Sequence, residues 1–336
     1  MTSPVLDIGG SLDERPVLLT GATGFVGRHL YPELIQSNRR VRSGTRDPER
    51  AAVLFGPREW VKADLQDPAT LLQAMDGCGA AIFLVHHLAD GAGYSAREEE
   101  SAIAFGRAAR AAGIERIVYL GGVSPAGSPS RHLSSRIACG RALASEGVPT
   151  VELRAGMILG AGSESFRIVR DLSVRLPLMV LPAWLENRSQ PISIVDVVFA
   201  LVASLEVDRV SEGVWDLPGP ETLSAAEILR RVSLLRGVDP WVLRVPLVSP
   251  QLSSYWIQWV TRANPRVARE LVEGLQNDLL AEDTGFWSNF PDHRLLSFDE
   301  AARRALDEER RTLPRTTLWV EDCVKWLSPR AQGKRP

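Results

Sequence analysis

The sequence predicts an α/β fold, a doubly wound parallel sheet with a smaller C-terminal lobe. Between Pro16 and about Leu153, short β-branched or apolar runs alternate with longer helix-like stretches, the pattern of successive βαβ units. A glycine-spaced turn, Thr20-Gly-Ala-Thr-Gly-Phe-Val-Gly27, joins the first of those runs to the first helix-like stretch. The 336 residues are 45% hydrophobic and 24% charged, enough to bury a sizeable core.

The expected strands are Val17–Thr20, Arg40–Thr45, Glu59–Ala63, Ala80–Val85, Arg116–Leu120 and Thr150–Leu153. Helices are expected between them at Phe25–Ser37, Pro68–Met75, Ala96–Ala112 and His132–Glu146. In the third, Ile103 and Phe105 sit among alanines and Gly113 stops the helix. Beyond Leu153 the alternation loosens, and eight of the nine tryptophans lie from Trp184 onward. Ser224–Arg236 reads as a capped helix with Ser224 and Glu227 forming the box, and Arg266–Leu280 and Ser297–Glu309 as further helices. The resulting division is a loose arm at 1–15, a dinucleotide-binding core at 16–155, remaining sheet elements and a substrate lobe at 156–329, and a tail at 330–336.

The net charge is −2 and Lys and Arg are spread along the chain, so no electrostatic footprint for nucleic acid is present. Cys78, Cys139 and Cys323 are far apart and show no metal-ligand spacing, which fits a reducing compartment. The first residues lack the basic and apolar regions of a secretory signal, so the cytoplasm is the expected location. No stretch is long and apolar enough to span a bilayer. The nearest, Val245–Val260, is uncharged but broken by Pro246 and Pro250, and reads as part of a packed lobe or as a lipophilic or membrane-surface contact.

Gly21, Gly24 and Gly27 permit a tight turn, close approach of backbone to a pyrophosphate and close helix packing. The helix that begins at Phe25 and Val26 offers free N–H groups and the positive end of its dipole. A dinucleotide is the expected ligand, with Thr23 in the same turn. Such a strand, turn and helix is the opening of a Rossmann fold.

The TGxxGxxG form, rather than GxGxxG, resembles the extended and atypical short-chain dehydrogenase/reductase families. Further matching stretches are Lys62-Ala-Asp64-Leu65, Ile82-Phe-Leu-Val85-His86, Ile117-Val-Tyr-Leu-Gly-Gly122 and Gln190-Pro-Ile-Ser-Ile-Val-Asp196. The resemblance covers about residues 16 to 240 and is nearest to the atypical NAD(P)H-binding, NmrA-like branch. It implies that Asp64, with Leu65 beside it, contacts the adenine, while Val85 and His86 pass the ribose and nicotinamide. Read from the residues alone, the alternative is that Asp64 merely caps the helix that follows.

The second strand ends Ser43-Gly44-Thr45-Arg46, with Thr45 where an NAD binder carries an acid. A guanidinium suits a 2′-phosphate, so NADP is expected over NAD. Arg28 is a second cation nearby, and Asp47 could pair with Arg46 or replace the missing acid.

The Tyr-x-x-x-Lys pair used by most of the resembled enzymes is absent. Alignment of the corresponding helix puts His132 in the tyrosine position and Arg136 in the lysine position, and the usual serine falls on Gly121-Gly122. His132 is then either a proton shuttle near neutral pH or a polar residue opening a helix. Tyr94 is the alternative acid, followed by His87 and Ser124. These features favour an NADP-dependent oxidoreductase acting on a small or lipophilic carbonyl or enone. The alternative is a non-catalytic NADP-binding sensor or assembly protein, and an epimerase or dehydratase ranks below both.

Overall fold

The structure is a computed structural model that describes residues 15–86, 93–125, 127–176, 178–245, 261, 264, 277–282 and 285–327. Seven parallel strands form the main sheet: β1 (Val17–Thr20), β2 (Val41–Thr45), β3 (Trp60–Lys62), β4 (Ala80–Phe83), β5 (Arg116–Gly122), β6 (Thr150–Ala155) and β11 (Gly213–Leu217). Their spatial order is β11-β6-β5-β4-β1-β2-β3, so the strand order reverses between β1 and β4. That reversal opens a crevice at the carboxyl ends of the strands, the usual ligand position in such sheets.

Helices cover both faces, as a parallel sheet requires. On one face α1 (Phe25–Gln36) packs beside α7 (Ile194–Ala203) over Val17, Leu19, Val118, Val151 and Leu153. On the other, α3 (Pro68–Met75), α4 (Tyr94–Ala111) and α5 (Arg131–Ser145) cover Leu18, Ala81, Phe83, Ile117 and Tyr119. Alternate residues of β1 and β5 therefore enter opposite cores, as a strand's period of two dictates.

Four α-helices among the described residues were not expected from the sequence: α2 (Pro48–Phe55) in the first half, and α6 (Glu164–Arg175), α7 and α10 (Arg315–Leu327) beyond Leu153. Helix α2 (Pro48–Phe55) starts on Asp47, whose carboxylate accepts the Arg50 N–H at 2.9 Å, with Pro48 in the first turn. Helix α6 (Glu164–Arg175) and β11 lie in the half where the alternation loosened.

A third core joins α6, α8 (Ala225–Leu235) and α9 (Phe298–Thr312) through Phe166, Ile228, Val232, Phe298 and Ala302. The expected cap of Ser224 with Glu227 is present as a complete capping box, and Ser297 with Glu300 forms a second one at the start of α9. The chain then forms α10 (Arg315–Leu327). Short pairs complete this half: β7 (Ile158–Leu159) with β10 (Ile192–Ser193), β9 (Arg188–Ser189) with β12 (Leu223–Ser224), and β8 (Leu178–Pro182) with β13 (Trp241–Val245).

The helix expected at Arg266–Leu280 lies outside the described residues up to 276. Its last four positions are not helical, and Leu279 instead bridges to Ser189. The uncharged run after Val245 and the tail at 330–336 also lie outside the described residues. No helix among the described residues is long and apolar enough to cross a membrane, and no cluster of His, Cys, Asp or Glu there could hold a metal ion.

Candidate functional site

The glycine turn has three different reasons for its three glycines. Gly21 has φ +69°, and a Cβ on it would lie 2.9 Å from the Leu84 carbonyl oxygen, so both conformation and space exclude a side chain. Gly27 faces the turn itself: its Cβ would lie 2.3 Å from the Gly21 oxygen and 2.8 Å from Ala22 Cα. Gly24 differs from both. It precedes α1 with an ordinary φ of −75°, is exposed, and its Cβ would approach only the Gly21 oxygen, at 3.2 Å.

Gly21 and Gly27 thus let the helix sit against the strand, while Gly24 keeps the open side of the turn clear. The N–H groups of Phe25, Val26 and Gly27, in the first helical turn, have no carbonyl one turn behind them. No side chain caps this N-terminus. The Phe25 ring packs edge-on to His29 and over Gly160, and Val26 packs against the core below. Arg28 turns back, its Nε donating to the Gly24 carbonyl at 3.3 Å.

Beside the turn lies a cleft of about 200 Å³ at the ends of β1 to β4. Of the residues expected to hold a dinucleotide, Gly21, Thr23, Arg46, Asp64, Leu65, Val85 and His86 all line it. Gly24, Phe25, Val26 and Gly27 form the adjoining helix start. Residues not anticipated, Thr20, Ala63 and Gln66, complete the wall. Thr20 follows from the local rules, since its hydroxyl donates to the Ile82 carbonyl at 3.0 Å and fixes β1 to β4. Gly44 in the floor is small because a Cβ there would lie 3.0 Å from that of Ala63.

Charge at this cleft is distributed unevenly. Arg46 is exposed and its guanidinium has no hydrogen bond or ion pair among the described residues. Asp47 next to it is occupied at the start of α2. Asp64 does not cap the following helix: Asp67 does, accepting from the Ala69 N–H at 3.2 Å. Asp64 instead closes a local turn by accepting from the Gln66 N–H at 3.0 Å, leaving its carboxylate at the cleft wall.

A second polar group lies where β5 meets α5. Ser130 caps α5, so His132 stands in its first turn and Arg136 one turn on. His132 Nδ1 is buried without a hydrogen-bond partner among the described residues. Burial foremost, then the positive charge of Arg136 and the proximity of His86, push its pKa down from 6.5 to about 3. His132 is thus neutral over the physiological range.

The Arg136 guanidinium donates to the Leu120 carbonyl and lies over the Tyr119 ring, 5.3 Å from its centre. Tyr119 is itself buried and donates its hydroxyl to the Arg136 carbonyl at 3.0 Å. Ser135 donates to buried Glu98. Glu152 on β6 completes the group, and burial raises its pKa despite its 2.7 Å bond from Arg154.

The space for the Glu152 carboxylate is made by two glycines. A Cβ on Gly140 would lie 2.2 Å from it and one on Gly121 3.1 Å away, which accounts for glycine at the strand end where the resembled enzymes carry serine. A carboxylate inside an apolar strand, Thr150-Val-Glu-Leu153, was the available sequence signal for this cluster. Ser124 is half-buried in the loop after β5, and Gly122 packs on Leu133. Tyr94 begins α4, and His87 lies outside the described residues.

Comparison with known proteins agrees with this architecture. Residues 21–136, about a third of the chain, match the model of an NAD(P)H-binding family. Barley (Hordeum vulgare) dihydroflavonol 4-reductase is 33% identical over 136 residues, 34% of this chain and 36% of that protein. The match thus spans about a third of that relative's length.

Among solved structures, Citrobacter sp. triphenylmethane reductase complexed with NADP(H) superposes with a TM-score of 0.68 at 16% identity, covering 86% of this chain and 99% of that one. The protein MoeE5, complexed with UDP-glucose and NAD, gives 0.66 at 18% identity, covering 89% and 100%. The chain therefore shares the Rossmann-like fold of NAD(P)-binding reductases and sugar-nucleotide-binding proteins, as the sequence motifs implied.

Proposed function

We propose that this protein is an NADP-dependent oxidoreductase of the atypical short-chain dehydrogenase type, reducing a small or lipophilic carbonyl or enone. The observation that carries the cofactor preference is Arg46, an exposed guanidinium without a partner among the described residues, at the mouth of the cleft where Thr45 replaces an acid. The residues present fit a dinucleotide. The open face at Gly24 and the uncapped start of α1 suit a pyrophosphate, and Asp64 and Leu65 suit the adenine end. Val85 and His86 lead toward β5 and α5, the nicotinamide end in this reading.

When bound, the cofactor would supply the hydride. What the chain contributes is position and polarisation. His132, held neutral by burial, would polarise the acceptor oxygen through an N–H, while the proton completing the product comes from solvent. Arg136, tied to Leu120 and stacked on Tyr119, would hold the start of α5 in place.

A competing reading, an NADP-binding sensor without turnover, draws on the same observation about Arg136. Its guanidinium is engaged inside the protein in place of the lysine that a catalytic pair requires. The two readings separate on turnover. An oxidoreductase oxidises NADPH in the presence of a member of a broad carbonyl and enone panel, and His132→Ala lowers kcat by on the order of 10²-fold with little change in NADPH affinity. Tight NADPH binding with no oxidation across the panel would favour the sensor.

A further inference from the structure

A phosphate monoester carries a charge of about −1.5 to −2 near neutral pH, so the single guanidinium of Arg46 would neutralise only part of a 2′-phosphate. A second cation stands on the neighbouring strand. In the parallel pairing of β2 with β3, Thr45 lies directly opposite Lys62, which makes the two side chains neighbours on one face of the sheet. That face is the one α1 covers. Val41 of β2 belongs to the core beneath α1 and Trp60 of β3 packs against it, and a strand's period of two carries the same side on to Thr45 and Lys62. Val61 and Ala63 face the opposite core.

Thr45 and Arg46 line the cleft, and Lys62 flanks it. Lys62 is exposed, and its ammonium has no hydrogen bond or ion pair among the described residues. The carboxylates around it are committed elsewhere. Asp47 accepts from the Arg50 N–H, Glu59 pairs with Arg42 at 2.7 Å, and Asp64 accepts from the Gln66 N–H. Glu49, exposed in the first turn of α2, adjoins Arg50 of opposite charge. Two uncommitted cations therefore flank Thr45. Its hydroxyl accepts from the Asp47 N–H at 3.4 Å, which leaves the Thr45 O–H to donate.

These three groups differ in what they offer a phosphate. The guanidinium is a planar fork, the ammonium a point charge on a flexible stem, and the hydroxyl a single short-range donor. Since β3 is the edge of the sheet, a lysine there also discourages pairing with other chains. That role needs no cationic neighbour and leaves nucleotide affinity untouched.

We infer that, given the NADP reading on which this rests, Lys62 is a second specificity-determining residue, forming with Arg46 and Thr45 the seat of the 2′-phosphate. The test is isothermal titration of adenosine 2′,5′-bisphosphate and of 5′-AMP, which differ only in the 2′-phosphate, into the wild-type chain, Lys62→Gln and Lys62→Arg. Lys62→Gln should weaken the bisphosphate about tenfold at low salt and leave 5′-AMP unchanged. Its thermal midpoint should match the wild type, because the exposed side chain has no partner to lose, and Lys62→Arg should recover most of the affinity. If the wild type prefers the bisphosphate but Lys62→Gln binds both nucleotides as the wild type does, or loses both equally, the inference is overturned while Arg46 keeps its role. A wild type that binds the two nucleotides alike would instead overturn the NADP reading, and the role of Lys62 with it.

Discussion

At the ends of β1 to β4, charge stands in the open: Arg46 is exposed, and Asp64 lines a cleft over a floor of small residues. In the C-terminal lobe the arrangement is inverted. Arg170 is 1% exposed and donates to Asp171 at 2.7 Å and to Glu321, with Glu309 also in reach at 3.2 Å, while tryptophans of α10 lie outside. The contrast shows how the same residue types serve two purposes. A buried cation is committed to its carboxylates and specifies how helices pack, whereas an exposed cation at the strand ends of a parallel sheet remains available to a ligand.

The strongest way to break the comparison is at Arg170. Arg170→Met removes the cation shared by three acids and leaves the buried cluster with an excess of negative charge, although Arg236 still bonds Glu321, so stability should fall by about 3–5 kcal/mol in chemical denaturation. Dinucleotide affinity measured on the remaining folded protein should not change. A parallel loss of affinity would show that the lobe shapes the cleft directly.

The glycine turn sharpens the comparison from the other side. Gly27→Ala places a Cβ 2.3 Å from the Gly21 oxygen and should cost about 1–3 kcal/mol of stability. Gly24→Val, at a position with ordinary backbone angles and an open face, should leave thermal stability nearly intact and abolish detectable dinucleotide binding. If the two variants lost stability equally, the division of roles within the turn would fail.

A smaller effect, graded with pH, is expected at His132. Its pKa is near 3 folded against 6.5 when free, so the unfolded chain takes up a proton in this interval and the native state does not. Stability is then fully present above about pH 6.5 and declines as pH falls, by at most about 1.4 kcal/mol per pH unit from this group. Carboxylates held below their usual range, such as Glu227 and Glu300, act in the same direction at lower pH. His132→Asn should therefore flatten the decline between pH 6.5 and 5 specifically, as followed by denaturation midpoints. An unchanged slope would place the imidazole in water rather than in the protein.

Much of the nucleotide-binding half was legible because its rules are local. Val17–Thr20 and Pro68–Met75 are bounded as expected, since apolar runs end at Gly21 in one case and start from an Asp-Pro cap in the other. Helix α2 carried the same Asp-Pro signal at Asp47-Pro48 and was missed because Asp47 was weighed as a ligand. The Glu98, Glu152 and Arg136 cluster depends on side chains from α4, β6 and α5 converging, which no single window of sequence contains. The inward polarity of α10 is likewise set by Arg170 and Arg236, 151 and 85 residues away from Glu321.

The claim at the centre of this account is that Arg46 selects the 2′-phosphate, and isothermal titration of NADPH and NADH into the wild-type chain and Arg46→Ala tests it most directly. NADPH should bind the wild type more tightly than NADH, and the substitution should remove about 1.5–3 kcal/mol from NADPH alone. Equal affinities in the wild type, or equal losses for both cofactors, would contradict it.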